Sequence, residues 1–384
     1  ARHEAEFAAR MTSVREEYTE NELREIAARA EELEKASGTP NSPAAVASLP
    51  QLTVGELPQE PVHIPGATDE LAGGMPFIRN EVFSNGVNYL RWSVDLQGVT
   101  PEMWQILPRL HEAFNRLGAA GMNYEQIAQR RQLHSGGISC ATEFMPDQRE
   151  PETTHAVLTI SLKALDEQLD DALDLLEDLV FKPEPRDPEY FGKLLDQTLF
   201  GMRSRLTNGG PSTAMTQLRR GLSPAGFLAE QQNGLTQLRL LEELVPDFDD
   251  HAETVFDHID ALYKLIRNPA RWRASFTGTD ETAAKTAARL EDWAGRTPAQ
   301  TPTPVDPGFK PFDGVPRLGL AAPMDVAHCV QCIPAPHIAA PDSVLLELGM
   351  HMLRVDYMVS ELRFKGNAYG AGCSYMPEGL VTLY

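Results

Sequence analysis

Residues 363–372, with the sequence RFKGNAYGAG, combine basic and aromatic side chains with glycines near the end of the chain. Arg363 offers a planar guanidinium and Tyr369 a phenol, and both groups donate hydrogen bonds to a peptide carbonyl or to its oxyanion. If a helix ends near Arg363 and Tyr369 emerges on the next strand, the two groups converge on one point. The stretch is therefore a candidate for one side of a peptide-binding or catalytic site.

The same residues also have an ordinary structural explanation. Cations such as Arg363 and Lys365 interact favourably with the dipole in the last turn of a helix, and Gly366 is suited to the left-handed conformation that ends one. Tyr369 fits equally well as an aromatic residue on a half-buried strand. The residue types alone leave the functional and the structural explanations both open.

The elements that must position this stretch follow a simple order. Strand-like RLGLAAPMDVAHCVQC (317–332) precedes a predicted helix over about 342–363, which ends at Gly366. A strand is predicted over 368–384. Tyr369 is thus expected at the start of a strand that follows a long helix.

An earlier part of the chain repeats this order. FSNGVNYLRWSVDL (83–96) alternates like a strand, and Thr100 and Pro101 then cap and open an amphipathic helix. Further strands and long helices follow. Antiparallel strands interleaved with helices predict an α+β fold, with the helices packed on one face of a sheet.

The first segment has a helical pattern of its own. Thr19 and Glu22 form a capping box ahead of an apolar helical repeat, and the proline-rich residues 41–61 are predicted to be extended. The chain is therefore expected to have four parts: a helical hairpin with an extended connecting segment (1–75), an α+β domain (76–296), a proline-rich linker (297–311) and the start of a second, related α+β domain (312–384).

The histidines lack the spacing of a zinc hydrolase. Neither HExxH nor HxxEH, which place two histidines and a glutamate on one helix face, occurs in the sequence. HEAEF (3–7) and HEAFN (111–115) begin like the first motif but lack the second histidine, so both are expected to be solvated helix positions. The sequence therefore predicts no metal-binding residue in this chain.

A CxxC motif is the other possible metal or redox site. Cys329 and Cys332 follow His328, but the sequence has no second CxxC. The flanking residues resemble a strand, on which the two thiols would point to opposite faces. We expect a structural role; a metal or redox site is the alternative.

Composition excludes several classes of partner. The formal charge of −21 argues against nucleic acid and is compatible with basic peptide ligands. No apolar run approaches the roughly 18 residues that span a bilayer, so no membrane segment is expected. The start has neither an initiator methionine nor a signal-like segment, and we expect the sequence to come from a longer chain.

The motif R-x-K-G-x-A-Y-G after a long helix resembles the C-terminal half of the pitrilysin family of zinc metallopeptidases. Two further stretches resemble the presequence protease branch of that family: SPAAVASLPQLTVGELP its connecting segment, and SNGVNYLRWSVDL followed by QLHSGGIS its third domain. The similarity covers nearly all 384 residues. It implies four similar α+β domains, in two halves that close around a peptide.

The resemblance also implies what this chain does. Arg363 and Tyr369 match the catalytic arginine and tyrosine that reach the substrate, and Gly366, Ala368 and Gly370 match substrate-binding positions. The zinc site lies in the missing N-terminal half, so zinc is expected in the full-length protein and not on this chain, which alone would be inactive.

The full-length protein would then be an ATP-independent, monomeric oligopeptidase for unfolded peptides. Its expected location is the bacterial cytoplasm, with the mitochondrial or plastid matrix as the alternative. Asn367 stands where the branch usually has a second glycine, which is tolerable if its backbone stays out of the left-handed region. The rival function is a catalytically inert relative that keeps the fold and serves as a binding or assembly subunit.

Overall fold

The computed structural model describes residues 10–15, 17–50, 52–151 and 153–384. The chain divides into two compact units, Ala1–His63 and Ile64–Tyr384. The predicted boundaries at residues 75, 296 and 311 remain predictions.

The first unit is helical where it is described. Residues 10–15 are helical, and helix α1 (Glu20–Gly38) begins at the predicted capping box, in which the Thr19 N–H donates to the Glu22 carboxylate at 2.8 Å. The segment predicted to be extended contains a short helix, α2 (Pro43–Ala47), and a 3₁₀ turn at Val54–Glu56. Both are capped locally; the Ser42 hydroxyl, for instance, accepts from the N–H of Ala45. HEAEF lies outside the described residues.

The second unit is built on a six-stranded sheet with the order β1-β2-β8-β3-β6-β5. Its strands are β1 (Gly66–Leu71), β2 (Met75–Asn80), β3 (Val87–Asp95), β5 (Gly137–Pro146), β6 (Thr154–Leu165) and β8 (Trp272–Thr277); a separate pair joins β4 (Gly118–Ala119) to β7 (Pro183–Glu184). All neighbours are antiparallel except β2 and β8, which are parallel. The sheet is therefore mixed and not wholly antiparallel, because β8 returns from a long helical excursion and inserts between β2 and β3.

Helices pack on one face of this sheet, as the α+β prediction requires. They are α3 (Pro101–Arg116), α4 (Tyr124–His134), α5 (Leu169–Phe181), α6 (Pro188–Asn208), α7 (Gly210–Arg219), α8 (Pro224–Asn233), α9 (Leu235–Leu244), α10 (Phe248–Ile266) and α11 (Asp280–Gly295). The caps predicted at Thr100 and Asn123 are confirmed. Trp92 lies at the centre of the core, 4.6 Å from the ring of Trp272 and 5.5 Å from that of Trp293. Full burial of three such rings supplies a large share of the apolar area removed from water.

The proline-rich residues 297–311 are a docked strap, although they form no helix or strand. Asn268 donates to the Gln300 carbonyl at 2.6 Å, Phe309 packs against Phe227 with ring centroids 6.1 Å apart, and the N–H of Phe312 donates to the Gly221 carbonyl at 3.0 Å. Proline restricts the unfolded chain, so this extended path costs less conformational entropy.

The last part of the unit carries the RFKGNAYGAG stretch. It contains β9 (Gln331–Pro334), α12 (Asp342–Met352), a π-helix (Leu353–Lys365), β10 (Cys373–Met376) and β11 (Leu380–Leu383), with the three strands antiparallel in the order β10-β11-β9. The predicted strand over 317–332 is wrong except at its end, because residues 317–330, all described, have no neighbouring strand to bond. The predicted strand over 368–384 is instead a hairpin that begins at Cys373.

Across the described residues, every helix is too short or too polar to span a bilayer.

Candidate functional site

The turn after the π-helix places the RFKGNAYGAG residues. Gly366 has φ −87° and ψ −2°, so it is not the left-handed residue that the sequence predicts. That conformation falls on Asn367, with φ 57°, and the condition set for tolerating asparagine there is not met. Asparagine is nevertheless among the residues that enter this region at least cost. The N–H of Ala368 closes the turn by donating to the Leu362 carbonyl at 2.9 Å.

Gly366 is required for a different reason. A Cβ at this position would lie 2.6 Å from the Leu362 carbonyl oxygen and 3.1 Å from that of Glu361. Contacts this short do not occur for real side chains, so the helix end and the turn approach each other too closely for any residue but glycine. The glycine therefore serves close backbone approach, not left-handed backbone conformation.

The charged side chains of the last helical turn differ in their partners. Lys365 Nζ lies 2.6 Å from Glu361 Oε1, one helical turn earlier. Arg363 is exposed, and its guanidinium carbon lies 5.8 Å from the centre of the Phe364 ring. Among the described residues, none forms an ion pair or hydrogen bond with the Arg363 guanidinium. Its donors are thus free for a ligand, while the cation of Lys365 is already paired.

Tyr369 is the most exposed part of the turn. Its relative accessibility is 90%, and it lies in a bend four residues before β10 begins. The interpretation as an aromatic residue on a half-buried strand is therefore wrong. The cause is the run of glycines, because the first backbone pairing of the hairpin is between Gly372 and Tyr384, with both N–H···O distances 2.9 Å. Within the described part of the chain, no hydrogen bond, ion pair or ring contact joins Tyr369 to Arg363.

The base of the turn is fixed although its tip is free. The Cys373 thiol donates to the Met350 carbonyl at 3.2 Å, and the Tyr375 hydroxyl donates to the Pro336 carbonyl at 2.8 Å. These contacts tie β10 to α12 and to the residues that follow β9. The site thus offers two unpaired donors on a short glycine-bounded turn with an anchored base.

A groove beside this part of the chain was not foreseen from the sequence. It has a volume of about 870 Å³ and lies between α7 and the irregular residues 316–330. His328 closes one part of it, where a Cβ on Gly210 would lie 2.3 Å from the imidazole. No motif signals this groove, because one of its walls is chain without regular structure.

The HEAFN segment is not solvated, contrary to the prediction. His111 Nε2 lies 2.8 Å from the Thr142 hydroxyl, and Glu112 accepts a hydrogen bond from the Thr198 hydroxyl at 2.7 Å. Burial, and then the nearby Arg109 guanidinium, lowers the pKa of His111 to about 4. Burial raises the pKa of Glu112, against the pull of Arg109, whose Nε lies 3.3 Å away. The segment belongs to a buried polar network and not to a metal site.

The CxxC residues also differ from their prediction. Cys332 begins β9 together with Gln331, but Cys329 lies before the strand and is exposed, so the two thiols are not on opposite faces of one strand. Both are free thiols, and burial raises the pKa of Cys332. In the described ranges, no group of three or more histidine, cysteine, aspartate or glutamate side chains could hold a metal ion.

Comparisons with known proteins agree with this fold and motif. A family model for the associated region of the M16 peptidases, subfamily C, matches residues 1–244. The chain is 25% identical over 366 residues to the mitochondrial presequence protease of Danio rerio, covering 88% of this chain and 35% of the relative. It is 24% identical over 314 residues to the chloroplastic/mitochondrial presequence protease 1 of Arabidopsis thaliana, covering 77% and 29%. The chain thus spans about a third of the length of these relatives.

Solved structures show the same architecture. A peptidase M16 inactive domain from Pseudomonas fluorescens matches with a TM-score of 0.55 at 15% identity, covering 83% of this chain and 74% of that one. The periplasmic protease PqqL of Escherichia coli matches with a TM-score of 0.54 at 12% identity, covering 91% and 39%. At these identities the likeness shows the fold alone. With the family model matching well over half of its length, the chain belongs to the associated family of the M16 (pitrilysin-type) peptidases, subfamily C, and resembles their presequence protease branch.

Proposed function

We propose that this chain is the C-terminal-half part of a zinc metallopeptidase of the presequence protease type, which degrades unfolded oligopeptides in a closed chamber. The observation that carries the proposal is the exposed, unpaired donor pair Arg363 and Tyr369 on a turn with an anchored base. Curated relatives that are named presequence proteases support the same activity.

The proposed role of the two side chains follows from their chemistry. The Tyr369 hydroxyl and the Arg363 guanidinium would orient the peptide and donate hydrogen bonds to the scissile carbonyl as negative charge develops on its oxygen. Donors aimed at a developing oxyanion act without reorganising, and losing one typically costs about 2.7–4 kcal/mol in the transition state.

The backbone of the turn is the proposed place for further substrate contacts. Gly366, Ala368 and Gly370 would bind the peptide through main-chain groups. The N–H of Ala368 is already bonded to the Leu362 carbonyl, so at this position the carbonyl is the group left for substrate. Gly370 has open space around it, since a Cβ there would meet no atom within 4 Å.

The side chains of this chain do not fit a zinc site. The sequence lacks HxxEH, and the part of the chain that the structure describes has no suitable cluster of ligands. Zinc would therefore be bound by the missing N-terminal half, which is the first proposed partner of this chain. No role assigned here to Arg363 or Tyr369 depends on the metal.

The remaining proposals concern partners and location. Unfolded peptides are the expected substrates, and basic ones suit the charge of −21. We propose a monomer of two tethered halves in the bacterial cytoplasm, with an organellar matrix as the alternative.

The test is peptide cleavage by the longer protein that includes the N-terminal half. An unstructured basic peptide is the substrate, and the variants are Arg363→Ala and Tyr369→Phe. Lys365→Ala is the matched control, because that cation is paired with Glu361 and is not assigned to the substrate. We expect chelator-sensitive cleavage that falls at least about tenfold in each test variant, or about 1.4 kcal/mol of barrier, and that changes little in the control.

The other outcomes are equally informative. Full activity in both test variants would return Arg363 and Tyr369 to structural roles. A longer protein that binds no zinc and cleaves no peptide would be the inert binding or assembly subunit.

A further inference from the structure

Strand β5 lies at one edge of the six-stranded sheet, and side chains cover only the first half of that edge. Asn115 Nδ2 donates to the Cys140 carbonyl at 3.2 Å, and its Oδ1 accepts from the Cys140 N–H at 3.1 Å. These are the two bonds that a residue of a neighbouring strand would make. Arg131 donates to the Ile138 carbonyl in the same way.

The second half of the edge has no such cover. In an antiparallel pair, successive residues direct their backbone groups alternately toward and away from the partner strand. Because Cys140 directs both groups away from β6, the N–H and C=O of Thr142 and Phe144 point away from it too. Among the described residues, none is hydrogen-bonded to these four groups. The edge then ends at Pro146, which has no N–H.

The side chains of these two residues are held from below and do not obstruct the edge. The Thr142 hydroxyl contacts His111, and the Phe144 ring lies 6.0 Å from that of Trp104. Proteins usually protect exposed strand edges against pairing with other chains. Here the protection stops at Cys140, which leaves a firmly supported edge of two residues open.

We infer that the uncovered edge of β5 at Thr142 and Phe144 binds an extended peptide segment, which adds to the sheet as a further strand. Its backbone supplies the complementary donors and acceptors, and pairing through two residues involves a segment of about three to five residues. Carboxylates at Glu143, Asp147 and Glu150 lie on or beside the strand and favour basic side chains in the peptide.

The identification of this peptide with a substrate rests on the proposed function, but the site itself does not. It uses neither Arg363 nor Tyr369, and its occupation requires no cleavage. A substrate held at both places would be fixed at two points of its length, which raises the effective concentration of the second contact.

The test is binding of a short fluorescent peptide of alternating valine and lysine to the 384-residue chain, followed by fluorescence anisotropy. Thr142→Pro removes the N–H that faces the peptide and leaves the β5–β6 ladder intact, because that N–H does not bond β6. Thr142→Val is the matched variant, since it also loses the hydroxyl but keeps the N–H. We expect Thr142→Pro to weaken binding at least about tenfold and Thr142→Val to change it by less than about twofold.

A second measurement needs no variant. Bound peptide is expected to slow amide hydrogen exchange at Thr142 and Phe144 in the unmodified chain. Equal binding by both variants, or protection at the β1 edge or in the groove beside α7 instead, would overturn the inference. Failure of binding here, together with retained cleavage by the longer protein, would reject the β5 site and leave the proposed function standing.

Discussion

Arg219, the last residue of α7, donates hydrogen bonds to the carboxylate of Glu378, in the turn between β10 and β11; its Nε lies 2.9 Å from Glu378 Oε1. The side chain of Glu378 is 8% exposed and that of Arg219 is 21% exposed, so water screens this pair far less than a surface pair. The pair fastens the small C-terminal sheet to the helical layer. The turn that carries Tyr369 is built on that sheet.

Breaking this pair is expected to loosen the C-terminal sheet. Glu378→Ala leaves the Arg219 cation largely buried without a partner, which should lower the free energy of unfolding by about 2–4 kcal/mol. Chemical denaturation measures the loss, and limited proteolysis within residues 297–330 should become faster because that chain is docked on the same surface.

An exposed ion pair of the same chemical type provides the control. Lys365 and Glu361 are one helical turn apart and both well exposed. Glu361→Ala should change the free energy of unfolding by less than about 0.5 kcal/mol. Equal losses in Glu378→Ala and Glu361→Ala would show that burial does not strengthen the Arg219–Glu378 pair.

The left-handed turn at Asn367 gives a second prediction. Asn367→Val places a β-branched residue at φ 57°, and the free energy of unfolding should fall by about 1–2 kcal/mol. Asn367→Gly should be neutral or slightly stabilising, because glycine enters this region freely. Urea denaturation of the two variants beside the parent measures both. A Val variant as stable as the Gly variant would contradict the left-handed assignment.

Sequence patterns predict the helices and strands that carry strong local signals. The capping residues Thr19, Thr100 and Asn123 each begin a helix where expected, because a cap bonds backbone groups within three residues of itself. The strands β3 and β6 also lie where alternation predicts them, and the family motif predicts the fold.

Features that depend on distant chain could not be predicted in this way. Residues 317–330 have strand-like composition but find no neighbouring strand, and the strap at 297–311 is fixed by contacts such as Phe309 with Phe227. The burial of His111 likewise depends on β5 and α3 meeting. At the candidate site, the residue types were predictable, but the assignment of the left-handed position to Asn367 and not to Gly366 depends on how closely the turn approaches Leu362.

The thiols should react in an order set by their exposure. Cys329 is exposed and should react first with an aromatic disulfide reagent, while half-buried Cys332, whose pKa is raised, should react more slowly. Cys140 and Cys373 are buried, and burial raises the pKa of each thiol, so both should wait for unfolding. Chelator should leave these rates unchanged. Acceleration of Cys329 and Cys332 by chelator would instead support a metal at the CxxC motif.

The buried imidazole of His111 should make the chain less stable in mild acid. Its pKa falls from an ordinary 6.5 to about 4 on folding, so between these values the unfolded chain binds a proton that the folded chain does not. This contribution to stability is complete above pH 6.5 and is lost as the pH falls toward 4, by about 1.4 kcal/mol per pH unit. Between pH 7 and pH 5 the parent should therefore lose about 2 kcal/mol more than His111→Gln, in which that group is absent. His251→Gln, at an exposed position of α10, should keep the slope of the parent. Denaturation curves at the two pH values measure the difference, and the same slope in parent and His111→Gln would show that the imidazole is protonated alike in both states.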